Sequence, residues 1–181
     1  MAIKINAKVR KILLYVALAL VVLATSFGVR IMVGSCSRND LKDTTASFTV
    51  YTEKGKAVEL SDFYGKQPIV VNFWATWCGP CQQEMPHFDD AYAKYKKDVT
   101  FLMVNMTTWE QDKTQAEILE FIESKGYDFP IYFDKNGEAD ETYNIESIPL
   151  TLFIGKDGKV AYTYSGTMTK TQLYNYIEKI I

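Results

Sequence analysis

Two cysteines separated by two residues, in Trp77-Cys78-Gly79-Pro80-Cys81, constrain this chain more than any other feature because of what flanks them. The apolar run 69–74 comes before them, and residues with helical periodicity follow. The pair therefore sits at a strand-to-helix junction. There the first cysteine occupies the helix N-terminus, where unpaired backbone N–H groups and the helix dipole favour a thiolate over a thiol. The second lies about one turn on and faces the same side. That spacing lets the sulfurs close a small ring or resolve a mixed disulfide, with Cys78 expected to attack and Cys81 to resolve. Pro80 suits the first helical turn, since it has no N–H to leave unpaired and its φ is already helical; Gly79 removes side-chain bulk beside the attacking sulfur. A structural disulfide or half of a zinc site could use the same spacing, but the strand-then-helix context favours the redox reading.

The run Val70-Val71-Asn72-Phe73-Trp74-Ala75-Thr76-Trp77-Cys78-Gly79-Pro80-Cys81, with Pro86 in the following helix and Ile148-Pro149 much later, resembles the thioredoxin superfamily. Within it, Glu84 and a membrane-proximal N-terminus are similar to the membrane-anchored TlpA/ResA branch, and the resemblance extends over residues 45–181. It implies a protein disulfide oxidoreductase with a Cys78–Cys81 redox disulfide and no bound cofactor or metal. A substrate groove would then be lined by Trp77, Gly79, Pro80, Ile148 and Pro149. A proline at the start of an apolar strand cannot donate to the ladder, so Pro149 by itself marks an edge or a special turn. In thioredoxin-like proteins the matching proline is cis, faces the cysteine pair and leaves nearby backbone to pair with substrate; the sequence alone leaves the isomer open.

Many thioredoxins carry a buried aspartate six residues before the first cysteine, where this chain has Asn72, which cannot titrate. Glu84, three residues after Cys81, points along the same helix face one turn deeper. In the TlpA/ResA branch a glutamate there takes the acid-base role, and a carboxyl partly buried near sulfur would have a raised pKa. A solvated helix-surface glutamate is the alternative. The ResA motif also has an acidic residue between the cysteines, where this chain has Gly79.

With 181 residues, 48% hydrophobic and 23% charged, the chain has room for one globular domain and an appendage. A net charge of −2 with no basic patch argues against a nucleic-acid partner. Lys4, Lys8, Arg10 and Lys11 precede an apolar run at 12–29. About 18 residues at helical rise span roughly 27 Å, close to the bilayer core. The positive-inside rule then puts residues 1–11 in the cytoplasm, 12–29 across the membrane as an uncleaved signal-anchor, and the rest outside. A cleaved signal peptide shares these features, but the run is long for one and no Ala-x-Ala site follows. Residues 34–46 are polar and aperiodic, and 30–44 is read as a linker holding the 45–181 domain near the cell membrane. Of three cysteines, Cys36 is left over: a linker thiol or a lipidation site after Val33-Gly34-Ser35.

Within the domain, strands are expected at 48–51 and 57–60, as a hairpin around Gly55, and at 69–74, 100–106, 129–133, 150–154 and 160–164. Helices are expected at 80–97, kinked at Pro86, and at 114–125, 139–143 and 169–181. The alternation gives α/β with a mixed sheet. The resemblance implies a thioredoxin fold with an N-terminal β-hairpin and an inserted helix-strand unit, after one N-terminal transmembrane helix.

Two other readings start from the same cysteines. A peroxiredoxin-like peroxidase would want a threonine three residues before its cysteine; that position is Ala75, and Thr76 is one place off. A Sco-like copper module would want wider cysteine spacing and a distant histidine, whereas the single histidine, His87, lies on the same helix. The resemblance implies reduction of client disulfides, such as those of the haem-attachment cysteines of apocytochrome c, or of cysteines in envelope or spore proteins. Electrons would come from a CcdA-like membrane thiol carrier. A disulfide-forming oxidant is the opposite direction of the same chemistry.

Overall fold

The strand Ile69–Trp74 (β3) is buried along its whole length and lies inside a seven-stranded mixed sheet whose order is Ala57–Glu59 (β2), Thr49–Thr52 (β1), Ile131–Phe133 (β5), Thr100–Asn105 (β4), β3, Leu150–Ile154 (β6) and Val160–Ser165 (β7). The computed structural model describes residues 45–110 and 113–181. The expected transmembrane run, the linker and Cys36 lie outside the described residues, and among those described no helix is long and apolar enough to cross a membrane. β3 runs parallel to β4 (Thr100–Asn105) and antiparallel to β6 (Leu150–Ile154). β5 (Ile131–Phe133) continues the parallel set, and β7 (Val160–Ser165) closes the other edge against β6. The N-terminal hairpin, β1 (Thr49–Thr52) and β2 (Ala57–Glu59), joins antiparallel to β5.

Period-two alternation divides β3 and its neighbours between two cores. Val70, Trp74, Phe101, Met103 and Phe153 face one side, where α1 (Gly79–Tyr95) packs through Met85, Phe88 and Ala91 and α4 (Lys170–Ile180) through Leu173 and Ile177. Ile118 and Ile122 of α2 (Gln115–Lys125) complete that layer. Ile69, Val71, Phe73, Leu102, Val104 and Leu152 face the other side, under Phe48, Leu60 and Ala139 of α3 (Glu138–Tyr143). Fully burying a side chain such as Phe73 or Phe88 is worth about 1.5–3 kcal/mol, so both faces must be covered, and a continuous apolar run is what such a strand needs. α2 and β5 form a helix-strand unit between β4 and α3.

The helix ends follow local chemistry. Thr114 with Glu117, and Thr169 with Gln172, form capping boxes, and Gly126 ends α2 in the left-handed region at φ 70°. β5 begins at Ile131 rather than at 129, because Pro130 has no N–H to give a ladder; Phe129 is instead buried ahead of it. Leu60 leaves β2 to open a 3-10 turn, Leu60–Phe63. Pro86 lies on the exposed side of α1 without ending the helix.

Candidate active site

Cys78 is the N-cap of α1, with an extended backbone (φ −76°, ψ 99°), and its Sγ accepts the Cys81 N–H at 3.2 Å. It is joined to Cys81 in a disulfide. Of the two, Cys81 is sealed at 0% exposure while Cys78 keeps 3%, next to the exposed Trp77, Gly79 and Pro80. An incoming sulfur therefore meets Cys78 first.

The Ile148–Pro149 bond is cis, and the Ile148 carbonyl oxygen lies 3.8 Å from Cys78 Sγ. Once reduced, the Cys78 S–H can donate weakly to that oxygen. The Pro149 carbonyl accepts from Gly166 N–H at 2.8 Å, which ties the turn to the segment entering α4. From that segment Thr167 Oγ1 also donates to the Pro80 carbonyl at 3.3 Å. The segment 166–167 thus holds both Pro149 and Pro80, on either side of Cys78.

Glu84 is not a surface glutamate: it is 1% exposed. Its Oε1 accepts from Asn72 Nδ2 at 2.9 Å and its Oε2 from Met168 N–H at 2.8 Å, while Asn72 Nδ2 gives its other hydrogen to Thr151 Oγ1 at 3.0 Å. Burial pushes the Glu84 carboxyl up from 4.5 to about 7, and the Met168 and Asn72 hydrogen bonds only partly offset it. One helical turn beneath Cys81, this group holds or releases a proton near neutrality.

A second buried carboxyl stands on the other side of the cysteine turn. Glu110 accepts from Thr76 N–H, Thr76 Oγ1 and Asn105 Nδ2, each at 2.7 Å. Beside it the Trp77 indole N–H donates to the Trp109 carbonyl at 2.9 Å, and the Trp109 indole N–H donates to Asp140 Oδ2 at 2.7 Å.

This chain is similar to known proteins over most of its length. The AhpC/TSA family matches residues 41–163. Thiol-disulfide oxidoreductase ResA of Bacillus cereus is 34% identical over 171 residues, covering 93% of this chain and 96% of the relative. The chain is a thioredoxin-superfamily thiol-disulfide oxidoreductase of the ResA type. Its fold matches the crystal structure of StoA from Bacillus subtilis with a TM-score of 0.63 at 30% identity, covering 74% of this chain and 98% of that one. It also matches the exposed lipoprotein thioredoxin of Streptococcus pneumoniae, with a TM-score of 0.62 at 29% identity, covering 74% and 99%.

As in any thiol-disulfide oxidoreductase, the chemistry rests on sulfur geometry, and the structure gathers Cys78, Cys81, Glu84, Ile148 and Pro149 at one place. In this ResA-type chain Thr76 is occupied with Glu110 through both its amide and its hydroxyl, which accounts for a threonine here without a peroxidase role. His87, half-buried on α1, belongs to no cluster of three or more His, Cys, Asp or Glu side chains among the described residues. Sequence reasoning missed Thr151, Met168, Asn105, Trp109 and Glu110. A signal existed for the last three: they end or follow β4 at the carboxyl edge of the parallel strands, where α/β sites lie.

Proposed function

We propose that this thiol-disulfide oxidoreductase is a reductant of disulfides in specific client proteins, tethered by residues 12–29 to the cell membrane with residues 45–181 on the outer side. The observation that carries the mechanism is the buried Glu84, held by Asn72 and Met168 beneath Cys81. In the dithiol form the Cys78 thiolate attacks one sulfur of a client disulfide, forming a mixed disulfide and expelling the first client thiolate. Glu84 then takes the Cys81 proton, and the Cys81 thiolate attacks Cys78 Sγ, releasing the second client thiol. Two electrons pass to the client, and the Cys78–Cys81 disulfide remains. A membrane thiol carrier of the CcdA kind returns it to the dithiol. Trp77, Gly79, Pro80, Ile148 and Pro149 form the groove for an extended client segment. The haem-attachment cysteines of apocytochrome c, or cysteines of envelope or spore proteins, are the clients that the TlpA/ResA resemblance favours.

The direction is supported by Gly79-Pro80, the dipeptide of reducing thioredoxins, and by Glu84 standing where Asn72 has removed the usual proton handler. The expected reduction potential lies below roughly −220 mV, toward thioredoxin, rather than near the roughly −120 mV of the oxidant DsbA. Equilibration of the protein with glutathione and dithiothreitol buffers reads it, and a value at the DsbA end would reverse the proposed direction.

The compartment is supported by the basic residues before 12–29 and by the exposed lipoprotein among the structural relatives. An alkaline phosphatase reporter, active only outside the cytoplasm, is expected to work when fused after Ile181. Activity of a cytoplasmic reporter at the same point would overturn the tether and the topology together.

A further inference from the structure

The Glu110 carboxylate is 8% exposed and takes no part in the thiol exchange described above. Its contacts are nevertheless aimed at the turn that delivers the attacking sulfur. Oε1 accepts from Thr76 N–H and Asn105 Nδ2, and Oε2 accepts from Thr76 Oγ1, all at 2.7 Å. Thr76 and Asn105 are themselves buried, at 5% and 0% exposure, and Cys78 follows Thr76 by two residues. The same turn is pinned again where Gln82 Nε2 donates to the Thr76 carbonyl at 2.6 Å and where the Trp77 indole meets Trp109. Neither the Lys94–Glu178 nor the Lys170–Asp90 ion pair involves Glu110. The other acidic groups around the turn are Glu84 on α1, Asp140 beyond Trp109, and the exposed Glu146 before Ile148. The segment 166–169, which packs on Pro80 and Pro149, contributes no titratable side chain.

We infer that Glu110 is a positioning residue for the thiol chemistry: its carboxylate fixes the Thr76-Trp77-Cys78 turn and sets against it a buried negative charge that opposes thiolate formation at Cys78. The N-terminus of α1 pulls the sulfur toward the thiolate, and Glu110 pulls the other way from within the same turn. A reductant that must wait for its client among oxidants gains from an attacking sulfur that stays largely protonated. This inference rests on Cys78 being the attacking sulfur.

The hydrogen-bond pattern supplies a clean test. In Glu110→Gln the amide oxygen can still accept from Thr76 N–H and Asn105 Nδ2, and the amide nitrogen can donate to Thr76 Oγ1, so the geometry is kept and only the charge is lost. The reduced full-length chain is alkylated with iodoacetamide across a pH series, and each cysteine is read separately by peptide mass spectrometry. In Glu110→Gln the midpoint of the Cys78 profile is expected to move down by at least about 0.5 pH unit, which is about threefold more thiolate at neutral pH. Thr76→Val, which keeps the charge and loses one hydrogen bond, is expected to hold the parent midpoint. An unmoved midpoint in Glu110→Gln, or an equal shift in Thr76→Val, overturns the inference. Should the glutamine variant not fold, Glu110→Asp decides: with the charge kept, its midpoint stays at the parent value, and a comparable fall overturns the inference. If Cys81 rather than Cys78 reacts first in the parent chain, the assignment of the attacking sulfur fails instead, and the peptide map shows that before any variant is made.

Discussion

Replacing Cys81 with alanine in the full-length chain is expected to stop turnover and to leave the protein joined to its clients through Cys78. Cys78 caps α1, keeps the residual exposure of the pair and faces the Ile148 carbonyl, so it can still attack a client disulfide when its partner is missing. Cys81 is sealed and its only route into the reaction is through Cys78 Sγ, so without it nothing resolves the mixed disulfide. Residues that act as one unit are not additive, and losing either sulfur is expected to lower turnover by at least about a thousandfold. The two losses differ in product. Non-reducing gels should show client adducts for Cys81→Ala and none for Cys78→Ala. The converse pattern would mean that the attacking and resolving roles are exchanged.

The stability of the oxidised protein is expected to carry a falling component between about pH 4.5 and about pH 7 that belongs to Glu84. Across that window the folded protein still holds the Glu84 proton while the unfolded chain has released it, so each rise in pH favours unfolding. The contribution is fully present below about 4.5 and is lost as pH passes through about 7, and the interval between the two corresponds to about 3 kcal/mol. That is a large part of the stability of a domain this size. Glu84→Gln carries no proton to lose and its difference from the parent isolates the effect, since Asp134, also raised by burial, is common to both. Urea unfolding at a series of pH values reads that difference. A parent and a Glu84→Gln variant that keep the same separation from pH 4 to pH 8 would show that burial does not hold this carboxyl protonated. The same variant is expected to flatten the pH dependence of Cys81 reactivity near neutrality, where the parent carboxyl changes charge.

Much of the domain was legible because its signals are local. The run at Ile69–Trp74, apolar but for Asn72, specified a strand covered on both faces, since alternate side chains must each find a core. The helix after Cys78 followed from the helical periodicity there, which buries Met85, Phe88 and Ala91, and the first hairpin from Gly55, which adopts φ 75° as its turn requires. The boundary errors also have local causes, as where Pro130 delays β5 to Ile131.

What the sequence determined by itself was the reactive pair. A Cys-x-x-Cys between an apolar strand and a helix has its geometry written into one turn of backbone, and few other structures can follow it. What only the tertiary structure decided was the electrostatic setting of that pair. Whether Glu84 is a solvated carboxylate or a buried acid near pH 7 depends on Met168, 84 residues along the chain, and Thr76 meets Glu110 across 34 residues. Neither contact has a periodicity or a spacing to betray it. A strand or a helix is selected by neighbours a few residues apart, whereas the desolvation of a carboxyl depends on every element that closes over it, and that sum exists only once the chain has folded.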